Sequence, residues 1–308
     1  MIKLKDLCIL DSCEALACIP SGKILINTIN AHSYNTAQKD ALFAEALKNG
    51  DYLIPDGASI VMACRWLNAK SQPKERIAGW DLFVHEMNEL NEECRMKNEE
   101  LKKPDSTTVG QADEELKMTK RHLTPDREYN KECCGSNNCN NNSSFYILHS
   151  SFKLCSSFNP KKKVMFLGSS EEVLEKIRRE VYYIYHNLEV VTYSPPYKAV
   201  FSDEDNRAMI DAINKADPDL LWIGMTAPKQ EKWVYEHWDE LDIHCHVGTI
   251  GAVFDFFAGT VKRAPKWWQR HGLEWLYRLI SEPRRMWRRY LIGNVLFLWY
   301  IVREKCGI

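Results

Sequence analysis

Four short clusters in this 308-residue chain combine residue types that bind or activate substrates. Asn27-Thr28-Ile29-Asn30 ends one apolar run, and Pro55-Asp56-Gly57 ends the next. A lone carboxylate at such a turn has two uses. It can cap the following helix by accepting backbone N–H bonds, or it can take a proton from an attacking hydroxyl. Spacing alone favours the cap. Arg76-Ile77-Ala78-Gly79-Trp80-Asp81 sets a guanidinium beside a helix start, which suits either a surface ion pair or a diphosphate. The fourth cluster, GMTAPKQEK over 224–232, has the form of a strand–loop–helix junction. A further turn, Gly168-Ser169-Ser170, is of a kind that takes a phosphate or a ribose.

Other chemistries lose their motifs. There is no Walker-type Gly-Lys-Ser loop, no Gly-x-Gly-x-x-Gly after a strand, and no Ser or Cys nucleophile signature. Asp217-Pro218-Asp219 precedes an apolar run, where a turn is the expected role rather than a metal-bound diphosphate. Cys133, Cys134 and Cys139 lack a complete set of four zinc ligands at suitable spacing. No metal or other cofactor is expected.

The elements that must position these clusters alternate in type. Apolar runs at 23–28, 52–55, 163–167, 188–193, 220–225 and 246–248 predict strands. Helical spacing at 37–49, 58–67, 80–94, 171–185, 206–216 and 230–238 predicts the helices between them. This alternation implies an α/β fold: a Rossmann-like, mainly parallel sheet with helices on both faces, whose ligands bind beyond the carboxyl ends of the strands. Residues 1–95 and 163–261 form the two parts of the catalytic domain. The polar stretch 96–162, with its run Asn140-Asn141-Asn142, is expected to be a disordered insertion.

Residues 262–308 form a separate appendage. The chain's net charge of -1 hides eleven Lys/Arg against three acids from Lys262 onward, a basic end on an acidic body. Trp267, Trp268, Trp275, Trp287 and Trp299 interleave with arginines. Leu273, Leu276, Tyr277 and Ile280 recur at helical spacing, which fits a helix packed on the domain equally well. Arg284, Arg285, Trp287, Arg288 and Arg289 favour a helix lying among lipid headgroups, able to place an arginine on a diphosphate. The apolar run 291–302 is too short to span a bilayer, which takes about 20 residues. The eleven cysteines are scattered, and the N-terminal stretch carries charges where a signal peptide is apolar. Reduced thiols in a cytoplasmic protein, peripheral on the inner face of the cell membrane, are therefore expected.

IPDGASIV, RIAGWDLF, GMTAPKQEKW and the long GAVFDFFAGTVKRAPKWWQRHGLEWLYRLISEPRRMWRRYL together resemble the WecG/TagA/CpsF family, glycosyltransferase family 26. The resemblance covers about residues 20–95 and 163–303. It implies an inverting, metal-independent transfer of N-acetylmannosamine or a related sugar from UDP to an undecaprenyl-diphosphate-linked sugar, in the synthesis of a cell-surface polymer. It makes Asp56 the catalytic base, with Thr28 and Asn30 beside it. Arg76, Gln230 and Asp255 match further active-site positions, and Gly168 remains a candidate substrate turn. It also implies possible homo-oligomers. Two departures bear on sugar identity: Ala31-His32 follows Asn30 where relatives read Pro-Glu, and Gly224-Met225-Thr226 replaces a Gly-x-Gly. Two other classes compete: an inactive membrane-surface scaffold, and a nucleic-acid binder using the basic tail, which leaves Pro55-Asp56-Gly57 unexplained.

Overall fold

A computed structural model describes residues 2–101 and 161–307. The chain divides into two compact units, Met1–Cys94 with Lys161–Ile308, and Arg95–Pro160. The first holds everything that follows. The expected insertion, with Cys133, Cys134 and Cys139, lies outside the described residues except at its ends.

Six strands, β1 (Ile24–Ile29), β2 (Tyr52–Pro55), β3 (Lys163–Gly168), β4 (Glu189–Tyr193), β5 (Leu220–Gly224) and β6 (His246–Thr249), form one parallel sheet. Their order is β2-β1-β6-β5-β3-β4. The central strands are buried on both sides, and their side chains divide by the two-residue period of a strand. Val164, Phe166, Leu220 and Trp222 pack on one face with helices α4 (Gly79–Leu101) and α5 (Glu171–Ile184). Met165, Leu167, Leu221 and Ile223 pack on the other with α6 (Asp203–Ala216) and α7 (Lys229–His237). The doubly covered α/β sheet expected from the sequence is thus present.

The helix expected over 37–49 is two helices, α1 (Ala31–Ala37) and α2 (Ala41–Lys48). Capping chemistry explains the break. Asn30 forms a capping box with Ser33 at the start of α1, and Asp40 accepts from Phe43 N at 3.0 Å to start α2. A third helix, α3 (Ala58–Leu67), follows β2.

Beyond β6 come α8 (Val253–Phe257), α9 (Lys266–Arg270), α10 (Glu274–Ser281) and α11 (Pro283–Trp287). A wide π turn, Arg288–Ile292, then leads into α12 (Gly293–Cys306). The last helix is built into the body. Phe297 and Ile301 are buried in a cluster with Tyr34, Ile60, Ala63 and the N-terminal Ile2 and Leu4. Glu304 accepts from Leu4 N (2.9 Å), Lys5 N (2.8 Å) and Tyr34 Oη (2.6 Å). Asn35 Nδ2 donates to Gly293 O at 2.7 Å. No helix among the described residues is long and apolar enough to cross a membrane.

Candidate active site

The carboxyl ends of β1 and β2 open into a cavity of about 810 Å³, the size of a small-ligand site. Parallel register sets Ile29 beside Pro55, and Asp56 N donates to Ile29 O at 2.8 Å, so the two strand ends present Thr28, Asn30 and Asp56 together.

Asp56 does not cap α3. That position belongs to Gly57, whose φ of +152° lets the chain turn there, and no side chain caps the helix. Its carboxyl is held instead by the side chain of Asn30. The Asn30 amide is fixed in turn, because its Oδ1 accepts from His32 N and Ser33 N, both at 3.0 Å. Burial pushes the Asp56 pKa above the usual carboxylate range. Arg76, Asn30 and Arg289 pull it down without cancelling that rise, and Glu274 adds to it. A carboxyl poised this way suits proton transfer.

Arg76 lies on the cavity wall, but its guanidinium is already engaged. Its Nη1 stands 2.7 Å from Glu274 Oε2, and Arg263 Nε approaches the other Glu274 oxygen at 3.4 Å. Burial alone would lower the Arg76 pKa; the bond and charge of Glu274 raise it instead. The shared carboxylate ties α10 to the loop before α4.

Two other arginines are uncommitted. Arg278 on α10 and Arg289 in the π turn both line the cavity, and the Nε of each is buried with no hydrogen-bond partner. Among the described residues neither forms an ion pair; the Arg278 guanidinium stacks 5.3 Å from the Phe256 ring. Burial pushes the Arg289 pKa down, and the nearby Arg278 charge does the same. Two desolvated, unneutralised guanidinium groups beside a carboxyl favour an anion between them. His32 faces the same space, its pKa held down to about 4 by burial and by Arg289, so its ring is neutral near pH 7.

The other expected residues fall elsewhere. Gly168 does not line the cavity. Its φ is +119°, and a Cβ there would sit 2.6 Å from Gly224 O, so close approach of β3 to β5 accounts for this glycine. Gln230 is buried and braces the junction after β5, accepting from Met225 N at 3.1 Å and donating to Glu231 at 2.9 Å. The backbone carbonyl of Asp255 ties the turn after α8, accepting from Thr260 N at 3.0 Å. Of the four tail arginines only Arg289 reaches the cavity. Arg284, Arg285 and Arg288 are exposed, Arg285 pairs with Glu282 at 2.9 Å, and Arg288 lies over the exposed Trp287. Sequence reasoning missed Glu274 and Arg278. The only available signal was that Glu274 is one of three acids in a basic stretch. Among the described residues, no group of three or more His, Cys, Asp or Glu is placed to hold a metal ion.

The family model of the WecG/TagA/CpsF glycosyl transferases matches residues 4–97 and 144–308, most of the chain and every residue of this cavity. The chain belongs to that family. Among curated WecG/TagA/CpsF-like proteins, an N-acetylglucosaminyldiphosphoundecaprenol N-acetyl-beta-D-mannosaminyltransferase of Bacillus subtilis is 26% identical over 281 residues, covering 91% of this chain and 80% of the relative. A protein of the same name from Bacillus spizizenii is 25% identical over 266 residues, 86% of this chain and 74% of its own. One from Staphylococcus aureus is 26% identical over 201 residues, covering 65% and 68%. In this WecG/TagA/CpsF member one cavity thus brings together the carboxyl of Asp56 and the guanidinium groups of Arg278 and Arg289.

Proposed function

We propose that this glycosyltransferase moves an N-acetylmannosamine-type sugar from UDP to N-acetylglucosamine carried on undecaprenyl diphosphate, with inversion at the anomeric carbon. The observation that carries this reading is the carboxyl of Asp56, raised in pKa and held by Asn30, at the mouth of two strands and opposite two unpaired arginines. The names of the relatives supply the sugars.

The chemistry then follows from the side chains. An acceptor hydroxyl attacks the anomeric carbon from the face opposite UDP. Asp56 takes its proton as the new C–O bond forms and the bond to the UDP oxygen breaks. Thr28, at the end of β1, orients the sugar; Asn30 acts as a positioning residue that aims the carboxylate. Charge gathers on the departing diphosphate, and Arg278 and Arg289 neutralise it in a partly desolvated space, where fixed cations act most strongly. Arg76 contributes through Glu274, which locks α10 and therefore Arg278 in place. On this reading the diphosphate is neutralised by arginines, and no metal ion is called for.

The acceptor is a membrane lipid, so the protein works as a peripheral protein on the cytoplasmic face of the membrane. The exposed Arg284, Arg285, Arg288 and Trp287 make the contact. The test is UDP release from a panel of UDP-sugars with a polyprenyl-diphosphate-linked N-acetylglucosamine acceptor, with and without EDTA. UDP-N-acetylmannosamine is expected to turn over best, at a rate EDTA does not change. Absence of acceptor-dependent release from every donor would refute the reading; loss of activity in EDTA would refute the arginine assignment alone.

A further inference from the structure

The cavity does not end at its polar groups. Helix α3 starts directly after Asp56, and α12 starts directly after the π turn that carries Arg289, so both lead away from the reacting groups. The α3 residues that line the cavity, Ala58, Ser59, Met62, Ala63 and Trp66, fall at helical spacing on one face. So do Asn294, Phe297, Leu298 and Ile301 on α12. Beyond Ser59 and Asn294 both series are apolar. Ala63, Phe297 and Ile301 are buried and form a floor, while Met62 (69% exposed), Leu298 (60%) and Trp66 (48%) stand as open rims. At 1.5 Å per residue, the eight helical steps from Ala58 to Trp66 extend about 12 Å. An open apolar trough of that length thus leaves the cavity beside Asp56. Leu298 also belongs to an exposed apolar stripe on the outer side of the tail, with Leu291, Val295 and Val302 at helical spacing.

Resting on the function proposed above, we infer that the trough between α3 and α12 binds the first isoprenoid units of the acceptor's polyprenyl chain. In such an acceptor the apolar chain is bonded directly to the diphosphate. Arg278 and Arg289 serve the departing UDP, whereas the acceptor's own diphosphate lies one sugar ring from the hydroxyl that Asp56 deprotonates. Its chain must pass into apolar surroundings there, and the trough begins on the Asp56 side of the cavity. Its open rims let a long chain enter from the side without threading, and the stripe shared through Leu298 leads on towards the bilayer. Contact with the chain adds to acceptor binding without touching the reacting atoms.

The experiment uses the full chain in detergent micelles, which removes vesicle attachment from the readout. Two acceptors are compared, N-acetylglucosamine diphosphate carrying a long polyprenyl chain and the same diphosphate carrying a short water-soluble alkyl group. The variant is Met62→Gln with Leu298→Gln, two exposed positions whose replacement leaves the floor intact. The expected result is a kcat/KM about tenfold lower for the polyprenyl acceptor, the scale of withdrawn apolar contact, and unchanged for the short one. Equal losses on both acceptors, or no loss on either, would overturn the trough. An altered oligomeric state in the variant with unchanged acceptor preference would assign the surface to a second copy of the chain and overturn it too. A wild-type protein inactive with both acceptors fails earlier, at the proposed function itself, and the trough falls with it.

Discussion

At the scale of the residue, Asp56 is held at a cost. Burial raises its pKa because few groups around it compensate the charged form, and Glu274 opposes ionisation further. The sign for activity follows. A base works only when ionised, so the acidic limb of kcat/KM lies above the range of an ordinary carboxylate, and the rate rises as pH passes through the raised pKa. The sign for stability is the reverse. Between the unfolded and folded pKa values the folded state binds more protons, so ionising Asp56 costs stability as pH rises. Asp56→Asn is therefore expected to lower kcat by roughly 10²–10⁴-fold, the usual worth of a general base, without lowering Tm. Near-normal turnover in that variant, or an acidic limb in the ordinary carboxylate range for wild type, would remove Asp56 from the role of base.

At the scale of the element, α12 shows why a tail that reads as an appendage is part of the fold. One face is buried beside α1 and α3, with the Tyr34 ring edge-on to Phe297 at 5.5 Å. In its last turn Glu304 satisfies two N-terminal backbone donors and the Tyr34 hydroxyl. Glu304→Ala leaves all three without that partner and is expected to cost about 1–3 kcal/mol, read as a lower urea midpoint. Tyr34→Phe, which removes a single bond, should cost less. An unchanged midpoint in Glu304→Ala would mean that the helix end is not held by this carboxylate. The π turn has its own consequence. Turns of this kind recur at functional sites, and here one places Arg289 on the cavity wall while Arg288 stays exposed.

At the scale of the whole molecule, basic and apolar surfaces meet on the tail. Arg284, Arg285 and Arg288 are exposed just before the stripe formed by Leu291, Val295, Leu298 and Val302. Charge attracts an anionic surface over about a Debye length, and apolar insertion then adds affinity. Deleting the tail would confuse this test, because deletion also removes Phe297, Ile301 and Glu304 from the body. The cleaner comparison keeps the full chain and replaces exposed positions only. Val295→Glu with Trp299→Glu is expected to cut sedimentation with anionic vesicles about tenfold at unchanged Tm. Equal sedimentation by wild type and variant would show that this face is not the membrane contact.

The sequence by itself determined the sheet, because β-strand periodicity and uninterrupted burial are local signals that survive in one dimension. Residues 163–168 and 220–224 show the second, a continuous apolar run without alternation. It also offered two uses for Asp56, helix cap or base; Gly57 at the cap position removes the first. What the tertiary structure alone decided is which charges are free. The sequence offers Arg76 and four tail arginines as equals, yet Arg76 is paired to Glu274 across 198 positions, and among the described residues Arg278 and Arg289 form no ion pair and each keeps a buried Nε without a hydrogen-bond partner. Even the acids in the basic tail, which a charge count sets aside, tether that tail to the body through Glu274 and Glu304. Composition fixes how many charges a chain has; only long-range packing settles which are neutralised by one another and which remain for a substrate.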